Sequence, residues 1–347
     1  MPELINLYSD TQTRPTPAMR DAIAQAEVGD EQRFEDPSVN QLCALVAELT
    51  GKEKAVFLPS GTMCNEIAIL VHCRPGDEIY ADESAHITHF EAGGPAALAG
   101  TVTHSIPGHR GLYTADQLEA AIRVPNRYSP TPRLVEVEQT ANLGGGSVWP
   151  LAQISHVAEV ARSRGLALHL DGARLPNAVV ASGHSFAEFS QPFDTVWIDL
   201  TKGLGCPCGA VLAGSRAFID EAWKWKQRLG GALRQGGVLA AAGLYAFGHN
   251  IDRLADDHAN ARRFAQAAGV VPGARVDLDG VESNMVFIDI SESGADPATV
   301  SARLEEQGVR IGALGHRLRA VTHLDVTTTD VDTAAEVFAS VMADLPG

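Results

Sequence analysis

Residues 199–205, DLTKGLG, decide how the rest of this sequence is read. They follow the apolar run FDTVWI and lead into CPCGAVLAG, so Lys202 stands among small residues at the end of a strand expected to be buried. A lysine taken alone is by base rate a solvated side chain. An amine desolvated in a cleft, by contrast, loses basicity and becomes a Schiff-base nucleophile. What lies at the other strand ends decides between these two readings.

Outward from this stretch, apolar segments of strand length alternate with helix-period segments, the pattern of an α/β fold with a mostly parallel sheet. The segment DPSVNQLCALVAELTGKE puts Val39, Leu42, Val46 and Leu49 on one face, with Ser38 expected as cap and Gly51 as stop. KAVFLP, DEIYAD, RLVEVEQ, LALHLD, DTVWIDL and GAVLAG read as strands. From about Leu254 the texture changes to a long polar helix followed by MVFIDI, RLRAVTHLDV and further helices. The division expected is a large domain over residues 1–250, including the N-terminal segment, and a smaller α+β domain over 251–347.

The chain has 347 residues with 27 Lys+Arg against 43 Asp+Glu, a formal net charge of −16, and no basic block. That balance argues against nucleic acid or an anionic membrane as partner. MPELINLYSDTQTRPTP lacks the charged start and apolar core of a signal peptide, and the expected location is the cytoplasm. Five scattered cysteines read as reduced thiols. CPC at 206–208 is too tight for a zinc knuckle and lacks completing ligands, so no metal site is expected.

In such sheets, ligands sit beyond the carboxyl ends of the strands. Ser60-Gly61-Thr62 follows one strand and opens a helix, offering backbone N–H groups, a hydroxyl and a positive helix end to a phosphate. A plain helix cap is the bland alternative. No Gly-x-x-x-x-Gly-Lys-Ser/Thr loop is present, so a nucleoside triphosphate is not the expected ligand. Asp171 ends the strand LALHLD, where a carboxylate is costly unless it meets a cation or strong donor; capping a turn or pairing with Arg174 is the alternative. Lys202, preceded by the hydroxyl of Thr201, completes the set. Together they match pyridoxal 5′-phosphate: a pyridinium partner, a Schiff-base lysine and a phosphate cup.

At these residues the chain resembles the threonine aldolase family among the aspartate-aminotransferase-like, fold type I, pyridoxal-phosphate enzymes. The resemblance runs in order from NLYSDTQTRPTPAM through FLPSGTMCNEIA, AHITHFEAGG, HLDGARLPNAV, TKGLGCPCGAVLAGS and LGGALRQGG to RAVTHLDV. It implies that Lys202 carries the cofactor and Asp171 partners its ring nitrogen. Ser60, Gly61, Thr62 and Thr201 would bind the phosphate, with Arg234 reaching in from a partner subunit. His86 would stack on the ring near the substrate hydroxyl. Ser9, Arg174 and Arg319 would hold the substrate carboxylate, with Arg174 also among the cofactor-binding residues. The implied reaction is retro-aldol cleavage of an L-β-hydroxy-α-amino acid to glycine and an aldehyde, in a homodimer or homotetramer with shared active sites. Racemisation or β-elimination on the same Lys202 and Asp171 is the alternative.

The departures from the family pattern concern the β-substituent pocket. Tyr8 stands where LRSDT would put Arg, and DEQRFEDP replaces DDVYGEDP around Gln32–Phe34. Ala141 replaces the second histidine of ENTHNG, and Gln227 replaces a phosphate-binding lysine, flanked by Lys226 and Arg228. His89, His169 and His323 read as structural, Glu91 as a candidate to orient His86, and Trp223 and Trp225 as packing residues.

Overall fold

The strand-period stretches become a layered α/β structure, seen in a computed structural model that describes residues 4–124 and 126–345. After a two-residue strand β1 (Ile5–Asn6), the central sheet is built from β2 (Lys54–Leu58), β3 (Asp77–Asp82), β4 (Val102–Ile106), β5 (Thr131–Glu138), β6 (Ala167–Gly172), β7 (Thr195–Asp199) and β8 (Ala210–Gly214). Their order across the sheet is β2-β8-β7-β6-β5-β3-β4. Only β8 runs against its neighbours, β2 and β7, which therefore point the same way. The carboxyl ends of β2, β5, β6 and β7 thus lie along one edge, and ligand-binding loops are expected there.

Side chains alternate across the sheet. Ala55, Phe57, Val135, Val137, Leu168, Leu170, Val196, Ile198, Val211 and Ala213 join the largest apolar cluster on one face. On the other face Val56, Leu58, Trp197, Ala210 and Leu212 pack against the helices Gly61–His72 and Arg216–Arg228. That second face also carries Glu136, Glu138, His169, Asp171, Thr195 and Asp199, all buried. Both faces are covered, yet three central strands keep a polar row where fully buried parallel strands usually read apolar throughout.

The C-terminal part forms a separate sheet and core. β9 (Met285–Asp289), β10 (Val309–Arg310), β11 (Gly312–Leu314) and β12 (Arg317–Val321) include an antiparallel sheet ordered β11-β12-β9. β1 pairs in parallel with β10, and Leu7 sits in the same apolar cluster as Phe264, Ile288, Leu318 and Phe338. The N-terminal segment therefore packs with the C-terminal elements before entering the large sheet's side of the molecule. Among the described residues no helix is long and apolar enough to cross a membrane.

The helix Pro37–Thr50 shows how the sequence sets its boundaries. It ends at Gly51 in the left-handed region at φ 66°, as the stop signal requires. Its cap is Asp36 rather than Ser38, because Pro37 takes the first helical position and Asp36 Oδ1 accepts from Val39 N at 3.0 Å. Ser38 turns its hydroxyl to the Glu27 carbonyl at 2.7 Å. Asp36 is fully buried, and its Oδ2 also accepts from Gly29 N at 3.1 Å and Gly237 N at 2.9 Å. Asp36→Ala removes the cap and strands two further N–H groups, which should cost about 3 kcal/mol in urea unfolding. A loss under about 1 kcal/mol would show that Asp36 is no such tie.

Candidate active site

The strand-end residues converge on one cleft of about 360 Å³, lined among others by Ser60, His86, Asp171, Lys202 and Arg319. A larger cavity of about 470 Å³, between the N-terminal segment and the C-terminal elements, is lined by Arg14, Arg310, His323 and the helix start at Thr327, but its lining has no lysine and no buried carboxylate.

The lysine is held by a group its local sequence hid. Asp199 Oδ2 accepts from Lys202 Nζ, while Oδ1 accepts from the backbone N and the hydroxyl of Thr201, each at 2.9 Å. Lys202 is thus partly buried, next to the Trp197 ring at 5.7 Å, and ion-paired three residues back. The hydroxyl of Thr13 donates to the carbonyls of Thr201 and Lys202 at 2.9 and 3.1 Å, pinning the loop from the N-terminal segment.

The Ser60-Gly61-Thr62 turn is a capped helix start at the cleft. Ser60 Oγ accepts from Met63 N at 3.2 Å, which leaves the N–H groups of Gly61 and Thr62 outside the helix ladder and at the cleft. Position 61 needs glycine: a Cβ there would lie 2.2 Å from the Trp197 ring.

Asp171 is fully buried and pairs with donors of its own chain, not with Arg174. Its Oδ1 accepts from Ala173 N at 2.9 Å and its Oδ2 from Asn65 Nδ2 at 2.8 Å. Burial pushes its carboxyl above the ordinary value, against the pull of His86 and the Asn65 bond. His86 Nδ1 meets Glu91 Oε1 at 2.8 Å, and its backbone N donates to Glu138 Oε2 at 2.8 Å. Burial disfavours the His86 cation, but the Glu91 bond and the charges of Asp171, Glu91 and Glu138 outweigh it and raise its pKa. Glu138, at the end of β5, also accepts from Asn142 N at 2.8 Å; burial, then the Asp171 charge, pushes it up to about 7.

Arg174 and Arg319 lie on the same side of the cleft. Arg174 turns Nε and Nη2 to Asp10 at 2.7 and 2.6 Å, so both N–H groups of Nη1 and the second of Nη2 remain. Burial would raise the Asp10 carboxyl, yet the Arg174 guanidinium holds it well below the carboxylate range. Arg319 Nη1 donates to Asn142 Oδ1 at 3.0 Å and Nη2 to the Tyr8 carbonyl at 3.4 Å. Ser9 lines the cleft and its Oγ accepts from Thr11 N at 3.2 Å. Arg234 is not among this chain's cleft residues; it is exposed on the loop after helix Arg216–Arg228, 3.3 Å from Asp30.

The positions that departed from the family pattern have distinct fates. Tyr8 lines the mouth, exposed by 44%. Ala141 is buried, close enough that a Cβ on Gly111 would meet its methyl at 2.6 Å, and the loop residue facing the cleft is Asn142. Lys226 is fully buried and ion-paired with Glu31. His169 is buried between Thr195 and Asn65, His323 bonds the Asn6 carbonyl at 2.8 Å, and His89 bonds the Glu83 carbonyl at 2.8 Å. Trp223 packs edge-on against Phe34 at 5.3 Å, and the Trp225 ring lies 4.5 Å from the Arg228 guanidinium.

Residues 6–291 match the family described as Beta-eliminating lyase, and the chain belongs to that family. It is 39% identical over 345 residues to the probable low-specificity L-threonine aldolase 2 of Arabidopsis thaliana, covering 97% of both chains. It is 40% identical over 325 residues to the low specificity L-threonine aldolase of Escherichia coli K12, covering 93% of this chain and 95% of that one. The solved threonine aldolase of Leishmania major superposes with a TM-score of 0.83 at 20% identity, covering 97% of this chain and 99% of that one. The fold is therefore the expected fold type I, with a mostly parallel central sheet.

Behind Glu91 lies a second buried carboxyl, Glu66, whose oxygens have no hydrogen-bond partner among the described residues. Burial first, then the Glu91 charge, pushes it up to about 8. The folded chain thus keeps a proton that the unfolded chain releases near 4.5, so this contribution to stability is full below 4.5 and is lost as pH rises through about 8. Glu66→Gln should flatten the decline in urea-unfolding stability between those limits. An unchanged slope would show that Glu66 is not the group involved.

Proposed function

We propose that the chain is a pyridoxal 5′-phosphate lyase that cleaves L-threonine, L-allo-threonine or related L-β-hydroxy-α-amino acids, such as phenylserine, to glycine and an aldehyde. The observation that carries this reading is the meeting of Lys202, Asp171, His86 and the Ser60–Thr62 helix start in one cleft. The residues fit the cofactor on their own chemistry. A buried carboxylate suits a protonated ring nitrogen, a half-buried amine suits an aldehyde carbon, and a helix start whose glycine admits no Cβ suits a phosphate. When bound, the cofactor supplies an electron sink for charge developing at the substrate α-carbon.

The chain's own groups do the rest. Lys202 would hold the cofactor carbonyl, Asp171 would keep the ring nitrogen protonated, and Ser60, Gly61 and Thr62 would take the phosphate; Thr201, whose N–H and hydroxyl both donate to Asp199, would have to release one of them to join. Arg319, Ser9 and the free edge of Arg174 bind the substrate carboxylate by charge-assisted bonds and so orient the Cα–Cβ bond. With His86 Nδ1 engaged by Glu91, Nε2 is the nitrogen that takes the β-hydroxyl proton as that bond breaks. The raised basicity of His86 suits this proton transfer.

Arg234 is read as completing the phosphate site of a neighbouring subunit in a homodimer or homotetramer, which its exposure outside its own cleft supports. Residues 1–250 and 251–347 are read as the large and small domains, supported by the two separate apolar clusters, except that Ile5 and Leu7 pack with the smaller cluster and Ile251 and Leu254 with the larger. The cytoplasm is the proposed location, supported by five free cysteines.

Aldehyde release from L-threonine, L-allo-threonine and β-phenylserine tests the reaction. Lys202→Ala should abolish turnover, and a variant that retains it refutes the assignment. His86→Asn should lower kcat by about 10²–10⁴-fold. Keto-acid or D-amino-acid formation without aldehyde would place the chain with β-eliminating or racemising enzymes.

A further inference from the structure

Asn65, one turn into the helix Gly61–His72, is fully buried and uses every hydrogen-bonding position of its amide. Nδ2 donates to Glu91 Oε1 and to Asp171 Oδ2, both at 2.8 Å. Oδ1 accepts from Trp197 Nε1 at 2.7 Å and faces His169 Nε2 at 3.0 Å. An indole N–H can only donate, so the amide oxygen must face Trp197 and the amide nitrogen the two carboxylates.

That orientation propagates. His169 must carry its proton on Nε2, which leaves Nδ1 to accept from the Thr195 hydroxyl at 2.8 Å. With its one proton spent there, Thr195 Oγ1 accepts from His72 Nε2 at 3.0 Å. Burial pushes His169 down to about 3 and His72 down to about 4, in keeping with two neutral rings. A directed chain thus runs from a surface cleft lined by His72 and Thr195, through the helix–sheet layer, to the floor of the catalytic cleft.

On the catalytic side, atoms of His86, Glu91 and Asp171 lie within 4.8 Å of one another. Two carboxylates that close repel unless a donor sits between them. Asn65 is that donor, and it binds both.

We propose that Asn65 is a positioning residue that locks Asp171 and the His86–Glu91 pair into one arrangement, with its own orientation set from behind by Trp197 and the His72–Thr195–His169 chain. This rests on the reading of Asp171 and His86 given under Proposed function. Asn65 joins the group that tunes the cofactor ring to the group that moves the substrate proton, so its loss disturbs both together. A helix side chain that merely packed would leave the protonation of His86 and His169 alone.

Nitrogen NMR of the full wild-type chain without cofactor, at neutral pH, should find His169 neutral with its proton on Nε2. A proton on Nδ1, or a charged ring, overturns the proposal whether or not any variant folds. Asn65→Ala should lower kcat for L-threonine about 10–100-fold with KM changed far less, and weaken pyridoxal-phosphate binding about tenfold. It should also move the His86 ring-nitrogen signals in the cofactor-free chain. Unchanged kcat, cofactor affinity and His86 signals in a folded Asn65→Ala chain overturn the proposal as well. Failure of the wild type to release aldehyde would instead strike the functional reading, which the cofactor-free NMR measurement does not depend on.

Discussion

Everything at the cleft depends on keeping a row of polar side chains buried under a helix. Strands β5, β6 and β7 present Glu136 and Glu138, His169 and Asp171, and Thr195 and Trp197 in register across the sheet's second face. The helix Gly61–His72 lies over that face. Carboxylates removed from water are tolerated only when donors meet them or when they keep their protons. Both solutions occur side by side. Asp171 and Glu138 each accept two N–H donors, whereas Glu136 has none among the described residues and burial pushes its carboxyl far above the ordinary value.

This constraint links the fold to the chemistry. The helix that starts at Ser60-Gly61-Thr62 carries Asn65 one turn later, so the Gly61 end and the Asp171 end of the cleft share one rigid element. Trp197 connects them again: its ring fills the space that Gly61 leaves, and its N–H fixes Asn65. The cleft's outer wall comes from elsewhere. Asp10 holds Arg174, Asn284 donates to Asp10 at 3.1 Å, and Asn142 holds Arg319. The side of the cleft that carries Arg174 and Arg319 is thus built where the N-terminal segment and C-terminal elements meet the large sheet.

Much of this was legible in the sequence, and the illegible part has a common cause. The strand stretches, the helix from Gly61, and Lys202, Asp171 and Ser60 as strand-end residues follow from local pattern. The partners do not. Asp199 escaped notice because an i−3 carboxylate suggests a helix, and Lys202 follows a strand. VEVE and LHLD alternate as strands with one wet face do, so nothing local says that Glu138 and His169 are covered. Asn65 and Glu66 in MCNEIAIL were the available signal, a polar pair within an apolar helix; only the fold shows what they meet. Ser38 was the expected cap because hydroxyls cap helices, and the proline before it shifted the start to Asp36. Ala141 looked like a pocket position, but its methyl turns inward against Gly111.

The pairing of β1 with β10 also bears on how the molecule comes together. Ile5 and Val309 are register partners about three hundred residues apart in sequence, and Thr13 holds the Lys202 loop from the same N-terminal segment. Closing so long a loop is slow even when it is thermodynamically cheap. The large sheet can assemble from contacts much nearer in sequence, but the wall that carries Arg174 and Arg319 must wait for both distant stretches. A chain halted before residue 309 would therefore hold Lys202 and Arg174 but lack Arg319 and the strand that pairs with β1.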